Sequence, residues 1–394
     1  MSPVPTRLHV PGPTPLPDIV REAGARQMIN HRGAEFRSLY ARLTTGLQRA
    51  LHTEHDVCIL TASGTGGLEA AVVNHLSPGD TVLAVSIGAF GDRFAGIATT
   101  YGAEVSRLDV EWGAAADPDA LQHTLEVMVA AGHPPVAILL THNETSTGVT
   151  NPIEALAEAA RSVAPEILIL VDGISGVGAV PFETDRWDID VVVTGSQKAW
   201  MVPPGLAMVA VSPRAWAAAE RARMPRFYFD LRAHLESGRK GETPWTPAVG
   251  ICFGLDVALA ALEAEGWEAV YTRHRACGAA ARAGFAALGF ELLADPAHAS
   301  NTVTAAWLPD GVDWPVLNGA LKARGLVLAG GQGKLSGRIL RMGHLGSVTV
   351  EDVLAAVSIV EAACIDVGLP VVRRGEALAV AARAAIDGTT PVPA

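Results

Sequence analysis

From Asp18 onward, apolar residues recur at helical spacing, first through DIVREAGARQMIN and then through AEFRSLYARLTTGLQRAL. The pattern then alternates. Short apolar runs of strand type, DVCILTAS, DTVLAVS, EVSRLDV, VAILLTHNE, EILILVDG, DVVVTGS and LAMVAV, take turns with helical patterns. GTGGLEAAVVNHL, FGDRFAGIATTYG and IEALAEAARSV are such helices. Buried strands separated by helices predict an α/β domain, its mostly parallel sheet covered on both faces. Near residue 250 the grammar changes to one long helical pattern with a break near Gly266. FELL, TVTAAWL and RILRMGHL follow as predicted strands, with helices at VLNGALKARG, VEDVLAAVSIVEAACIDVG and EALAVAARAAIDG. A smaller α+β domain is expected there. Residues 1–17 are proline-rich, which excludes a helix and predicts an extended arm lying on another surface, such as a partner subunit. The expected organisation is an arm at 1–17, a large domain at 18–265 and a small domain at 266–394.

Composition narrows the classes of function. Hydrophobic residues make up 49% of the 394 and charged residues 18%, enough for a sizeable core. The net charge of −11, without basic runs, argues against nucleic acid or an anionic membrane as partner. The four cysteines, Cys58, Cys252, Cys277 and Cys364, have no metal-ligand spacing. Buried reduced thiols, no metal and a cytoplasmic location are expected. Neither a signal peptide nor a transmembrane run is expected.

Ligands of open α/β sheets gather at the carboxyl ends of the strands, and three sites lie there. In TASGTGGLEAA, Ser63, Gly64 and Thr65 stand between a strand and a helix start. Free N–H groups at such a start favour an anion, though an ordinary helix cap reads the same way. Asp172 ends the apolar run EILILV and needs a partner to stay ionised, unless it caps a turn. Lys198 sits between two apolar runs in VVVTGSQKAWMVPPGLAMVAV. Burial lowers a lysine pKa, and a neutral amine attacks aldehydes. An anion cradle, an acid and a nucleophilic amine at strand ends are together what pyridoxal 5′-phosphate needs.

In its ordered motifs VPGPTPLP, SGTGGLEAA, THNETSTGV, VDGISGVGA, TGSQKAWMVPPG and GRILRMGHLG, the chain resembles class V aminotransferases of fold type I. The resemblance is to the alanine–glyoxylate and serine–glyoxylate (serine–pyruvate) group. It implies a large domain with a mostly parallel seven-stranded sheet between helices, plus a small C-terminal α+β domain. It also implies that Lys198 forms the Schiff base with the cofactor and shuttles the proton. Asp172 would bind the pyridine nitrogen, and Gln197, Ser63, Gly64 and Thr65 the phosphate. Thr145 would lie near the phenolic oxygen. Phe90 would stack on the ring, where many relatives have tryptophan. Arg341 would take the substrate carboxylate, with Arg338 on the solvated side of the strand. Thr243 and Thr246 match a segment that crosses to the neighbouring subunit's phosphate, which implies a homodimer with shared sites. Some relatives carry tyrosine where Thr243 stands.

The expected activity is transfer of an amino group from a small amino acid, alanine or serine, to glyoxylate or pyruvate by a ping-pong cycle. Two alternatives stand beside it. A pyridoxamine–pyruvate type would use the vitamin as substrate, against which the intact SGTGG argues. A pyridoxal-phosphate-binding protein without turnover would not need Lys198, Asp172 and Arg341 together. A cysteine desulfurase would require histidine where Phe90 stands.

Overall fold

A computed structural model describes residues 6–370 and 373–389. Seven strands of the large domain are numbered here in chain order. They are β1 (Asp56–Leu60), β2 (Thr81–Ser86), β3 (Glu104–Asp109), β4 (Ala137–Thr141), β5 (Leu168–Asp172), β6 (Val191–Gly195) and β7 (Ala207–Val211). All seven form one sheet, in the order β1-β7-β6-β5-β4-β2-β3. Only β7 runs antiparallel to its neighbours, pairing with β1 and β6. β4 to β7 are buried along their whole length, as strands covered on both faces must be. The fold type read from the sequence is present.

Two apolar layers cover the sheet. One face packs on the helices Ala34–Leu51 and Val249–Glu265 through Phe36, Leu43, Leu47, Leu255 and Leu262. The helix Gly64–His75 lies on the other face. Gly67 lets it approach closely, since a Cβ there would stand 2.6 Å from Val193 Cγ1. The helix N-terminus is thereby brought to the carboxyl end of β6.

The C-terminal unit has a three-stranded antiparallel sheet, Val303–Trp307, Ile339–Gly343 and Ala329–Gly330, with Ile339–Gly343 in the middle. Helices Trp314–Ala323, Val350–Asp366 and Glu376–Gly388 cover it. The helix Trp267–Ala287 begins in the large core with Val270 and Tyr271 and ends in the small core with Cys277 and Phe285. Chain direction changes at Gly266, which has φ +87°, so the break read from the sequence is real. FELL is not a strand. Leu292 makes a single bridge to Ala306, and Asp295 then starts a short 3-10 turn.

The arm corrects another expectation. Residues 6–17 lie on their own chain. Arg7–Leu8 pairs in parallel with Leu326–Val327, and Gly343 N–H donates to the His9 carbonyl at 2.7 Å. Prolines remove donors, but the alternate residues of this stretch keep theirs, and the small domain offers a free strand edge to receive them. Residues 1–5 lie outside the described residues.

Candidate active site

Sheet register brings the first two groups together. Thr141 of β4 stands opposite Asp172 of β5, and Asp172 stands opposite Val193 of β6. Two residues beyond the end of β6 comes Gln197, then Lys198. The loop that holds them is tightly braced. Ser196 Oγ donates to the Pro203 carbonyl at 2.7 Å, and Ser196 N–H to Leu206 at 3.0 Å. Trp200, fully buried, donates its indole N–H to Thr194 Oγ1 at 2.8 Å. Lys198 thus stands between two buried strands because its loop is the connection from β6 to the antiparallel β7.

A cavity of about 200 Å³ opens at these strand ends. Of the site residues read from the sequence, Ser63, Gly64, Thr65, Phe90, Thr145, Asp172, Gln197 and Lys198 line it. Arg93, Asn143, Ile174 and Ser175 line it as well, and sequence reasoning missed them. Arg93 had a signal: it lies three residues after Phe90 on the helix Ala89–Thr100, so both project to one side. Its guanidinium stacks 4.7 Å from the Phe90 ring centroid. Asn143 had none. Its amide donates at 2.9 Å to Ser175 and to Thr302, a small-domain residue that is close only in the fold.

Burial sets the electrostatics. The Asp172 carboxyl is pushed up to about 7 by burial, opposed by the Ile174 N–H donated to it at 2.9 Å. The Lys198 amine is pushed down to about 8 by burial, opposed by the nearby Asp172 charge. Each thus favours the charged form of the other. Glu144, wholly buried, accepts from the N–H groups of Phe90 and Gly91 and from Ser146, fixing the start of the helix that carries Phe90 and Arg93. Burial raises its pKa too.

Arg341 sits on the middle strand of the small domain, opposite Ala305 and Ala329. It is buried, and burial lowers it to about 10. Nε donates to the Gly330 carbonyl and Nη1 to the Thr145 carbonyl, each at 2.8 Å. Nη2 has no hydrogen-bond partner among the described residues. Arg341 does not itself line the cavity but grips Thr145, which does. Arg338 is exposed, over the Trp307 ring. Thr243 and Thr246 are not at this cavity. The Thr243 hydroxyl is donated to the Trp245 carbonyl at 2.6 Å, and Thr246 is exposed.

The cavity fits an anionic ring aldehyde. The first bond of the helix Gly64–His75 is from Gly67 N–H to Ser63, and Ser63 makes no side-chain capping bond, so among the described residues the N–H groups of Gly64, Thr65 and Gly66 have no partner and can take an anion. Gln197 Oε1 is buried without a hydrogen-bond partner among the described residues. Rotating that amide turns an N–H toward the same space. Ile174 forms a wall so close that a Cβ on Gly64 would stand 2.6 Å from its Cδ1.

A lysine, a carboxylate and an anion cradle at adjacent strand ends define a pyridoxal phosphate enzyme. Residues 20–344 match the class V aminotransferase family, and the chain belongs to it. It is a transaminase and takes pyridoxal 5′-phosphate as cofactor. It is 41% identical to the small subunit of a soluble hydrogenase of Synechococcus, over 95% of this chain and 97% of that protein. It is 37% identical to a serine–glyoxylate aminotransferase of Methylorubrum extorquens and 36% to an L-aspartate–glyoxylate aminotransferase of Paracoccus denitrificans, over 92% of each chain in both cases. The solved pyridoxamine–pyruvate aminotransferase of Mesorhizobium loti superposes with a TM-score of 0.91, at 30% identity over 98% of both chains.

Proposed function

We propose that this chain moves the amino group of a small amino acid, alanine or serine, to glyoxylate or pyruvate in a ping-pong cycle. The observation that carries the proposal is the shared cavity of Lys198, Asp172 and the free N–H cradle at Gly64–Gly66. Pyridoxal phosphate, when bound, supplies the electron sink on which an amino acid's α-proton becomes acidic. This chain's residues do the rest. Lys198 Nζ holds the cofactor and then moves the α-proton, for which a pKa pushed down to about 8 suits it. Asp172 stays ionised opposite a protonated ring nitrogen. Ser63, Gly64, Thr65 and Gln197 orient the phosphate, Phe90 covers one ring face, and Thr145 stands toward the phenolic edge. Arg341 meets the substrate carboxylate with Nη2, its free donor.

The protein acts as a homodimer in this proposal, with Thr246 serving the partner's phosphate and Thr243, its hydroxyl already donated to the Trp245 carbonyl, bracing the loop that carries it. Phe227, 77% exposed and stacked on Trp245, supports a partner seated on this loop. Its place is the cytoplasm, consistent with four buried free thiols. No helix among the described residues is long and apolar enough to cross a membrane. A second reading, with pyridoxamine itself as substrate, draws on the similarity to the Mesorhizobium enzyme. One absorption experiment separates the two. The visible band of bound cofactor is expected to bleach on adding alanine or serine and to return with glyoxylate. Turnover of free pyridoxamine with pyruvate, and no tightly held band, would establish the vitamin reading instead.

A further inference from the structure

The segment His9–Thr14 joins the two halves of the site. On one side it is fixed to the strand that carries Arg341. The His9 carbonyl accepts from Gly343 N–H, and the His9 ring Nδ1 lies 3.1 Å from the Gly343 carbonyl. Glycine is required at 343, because a Cβ there would stand 2.2 Å from the Val10 carbonyl oxygen. On the other side it is fixed to the lysine loop. Thr14 N–H donates to the Gln197 carbonyl at 3.1 Å, and Thr14 Oγ1 to the Lys198 carbonyl at 3.0 Å. Between these anchors, Lys198 Nζ donates to the Pro11 carbonyl at 2.5 Å. Gly12 has φ +135°, and a Cβ on it would stand 2.6 Å from Nζ and 2.8 Å from Cδ and Cε.

We propose that the Pro11 carbonyl, presented by Gly12, is the receptor that holds the Lys198 amine whenever that amine is not bonded to the cofactor, which makes Gly12 a positioning residue. The inference rests on the reading that Lys198 bonds the cofactor. During transamination the lysine must leave the cofactor and yet remain close enough to move a proton. A free ammonium in this cavity needs an acceptor other than Asp172, which the ring nitrogen claims. The carbonyl is fixed in place, carries no charge to compete with that pair, and is tied to the Arg341 strand.

The test uses the full chain loaded with pyridoxamine phosphate, in which Lys198 is free. Acetic anhydride labels unprotonated amines, and peptide mass spectrometry follows Lys198 alone as pH is varied. The charges facing Lys198 are Asp172 and Glu144, which favour its ammonium, and Arg341 and Arg93, which oppose it. None changes in the variants. A hydrogen bond to a charged donor is worth roughly one to two pH units, so Gly12→Ala is expected to lower the labelling midpoint by about one unit. Labelling at pH 7 should then rise about fivefold, from a midpoint near 8 to one near 7. Thr14→Val removes one anchor without crowding the lysine. It is expected to shift the midpoint the same way, by less, and it decides the matter if Gly12→Ala does not fold. Unmoved or raised midpoints in folded variants would overturn the proposal. Failure of the underlying reading looks different: Lys198 would then be labelled as readily in the pyridoxal phosphate form as in the pyridoxamine phosphate form.

Discussion

The carboxyl end of the sheet and the loop around residues 227–246 are built in opposite ways. At the sheet end, Asp172 is buried, Lys198 is half-buried, and the loop that carries the lysine is braced within the chain through Ser196 and Trp200. In the loop, Phe227, Tyr228 and Trp245 stack on one another in the open, and Thr246 is exposed. Burial at the first place shifts pKa values and prepares chemistry. Exposure of aromatics at the second prepares a surface for another protein. In the proposed dimer this difference divides the work: one chain assembles the reacting groups, and the loop would complete a neighbour's site.

The strongest way to break this division is to remove the lysine. Lys198→Ala should lower turnover by at least about a thousandfold, since one residue both holds the cofactor and moves the proton. Thr246→Ala should leave most of it. Steady-state rates of the two purified variants check this, and comparable losses in both would end the contrast.

Asp172→Asn sharpens it through pH. In the cofactor-free fold the Asp172 proton leaves near pH 7, and in the unfolded chain near its ordinary 3.8. Between these values the folded state binds the extra proton, so this group makes stability fall as pH rises from about 4 to about 7. Lys198 acts the other way higher up. Its folded value of about 8 lies below 10.5, so its cost, complete below pH 8, is relieved as pH rises through that window. Asp172→Asn should therefore melt above the cofactor-free parent at pH 8 and level with it at pH 4. The same substitution should weaken cofactor binding by roughly ten- to a hundredfold, through loss of a charge-assisted bond. Melting curves of the cofactor-free proteins and a cofactor titration measure both. A parent whose stability does not depend on pH across that range would mean Asp172 is not desolvated.

Much of this was legible in the sequence for a physical reason. Strand ends are marked by where apolar runs stop; Asp172 stops one of them, and Lys198 follows the end of another by three residues. Ser63–Thr65 are marked by glycines before a helix. What the sequence hid depends on contacts far apart along the chain. Asn143 reaches Thr302, Arg341 reaches Thr145, and Pro11 reaches Lys198. The arm was misplaced for the same reason. Proline content states that residues 6–17 are extended, but the partner strand at Leu326–Val327 appears only in the fold.

The smallest expected effect tests the loop side of the contrast. Thr243 and Thr246 look equivalent in GETPWTPAVG, but the structure separates them. The Thr243 hydroxyl is buried and already donated to Trp245, so Thr243→Ala should cost local stability of about 1 kcal/mol and leave cofactor affinity unchanged. Thr246 is exposed and makes no hydrogen bond among the described residues, so Thr246→Ala should leave the melting temperature of the cofactor-free chain where it is. If Thr246 donates to a partner's phosphate, its loss removes one hydrogen bond and should speed cofactor release by up to about tenfold. The loss should appear only where dimers form, so release rates measured across a dilution series should converge with those of the parent as subunits separate. Release that is faster by the same factor at every dilution would place Thr246 at its own chain's cavity, and the division between a self-sufficient sheet end and a loop that serves the neighbour would fail.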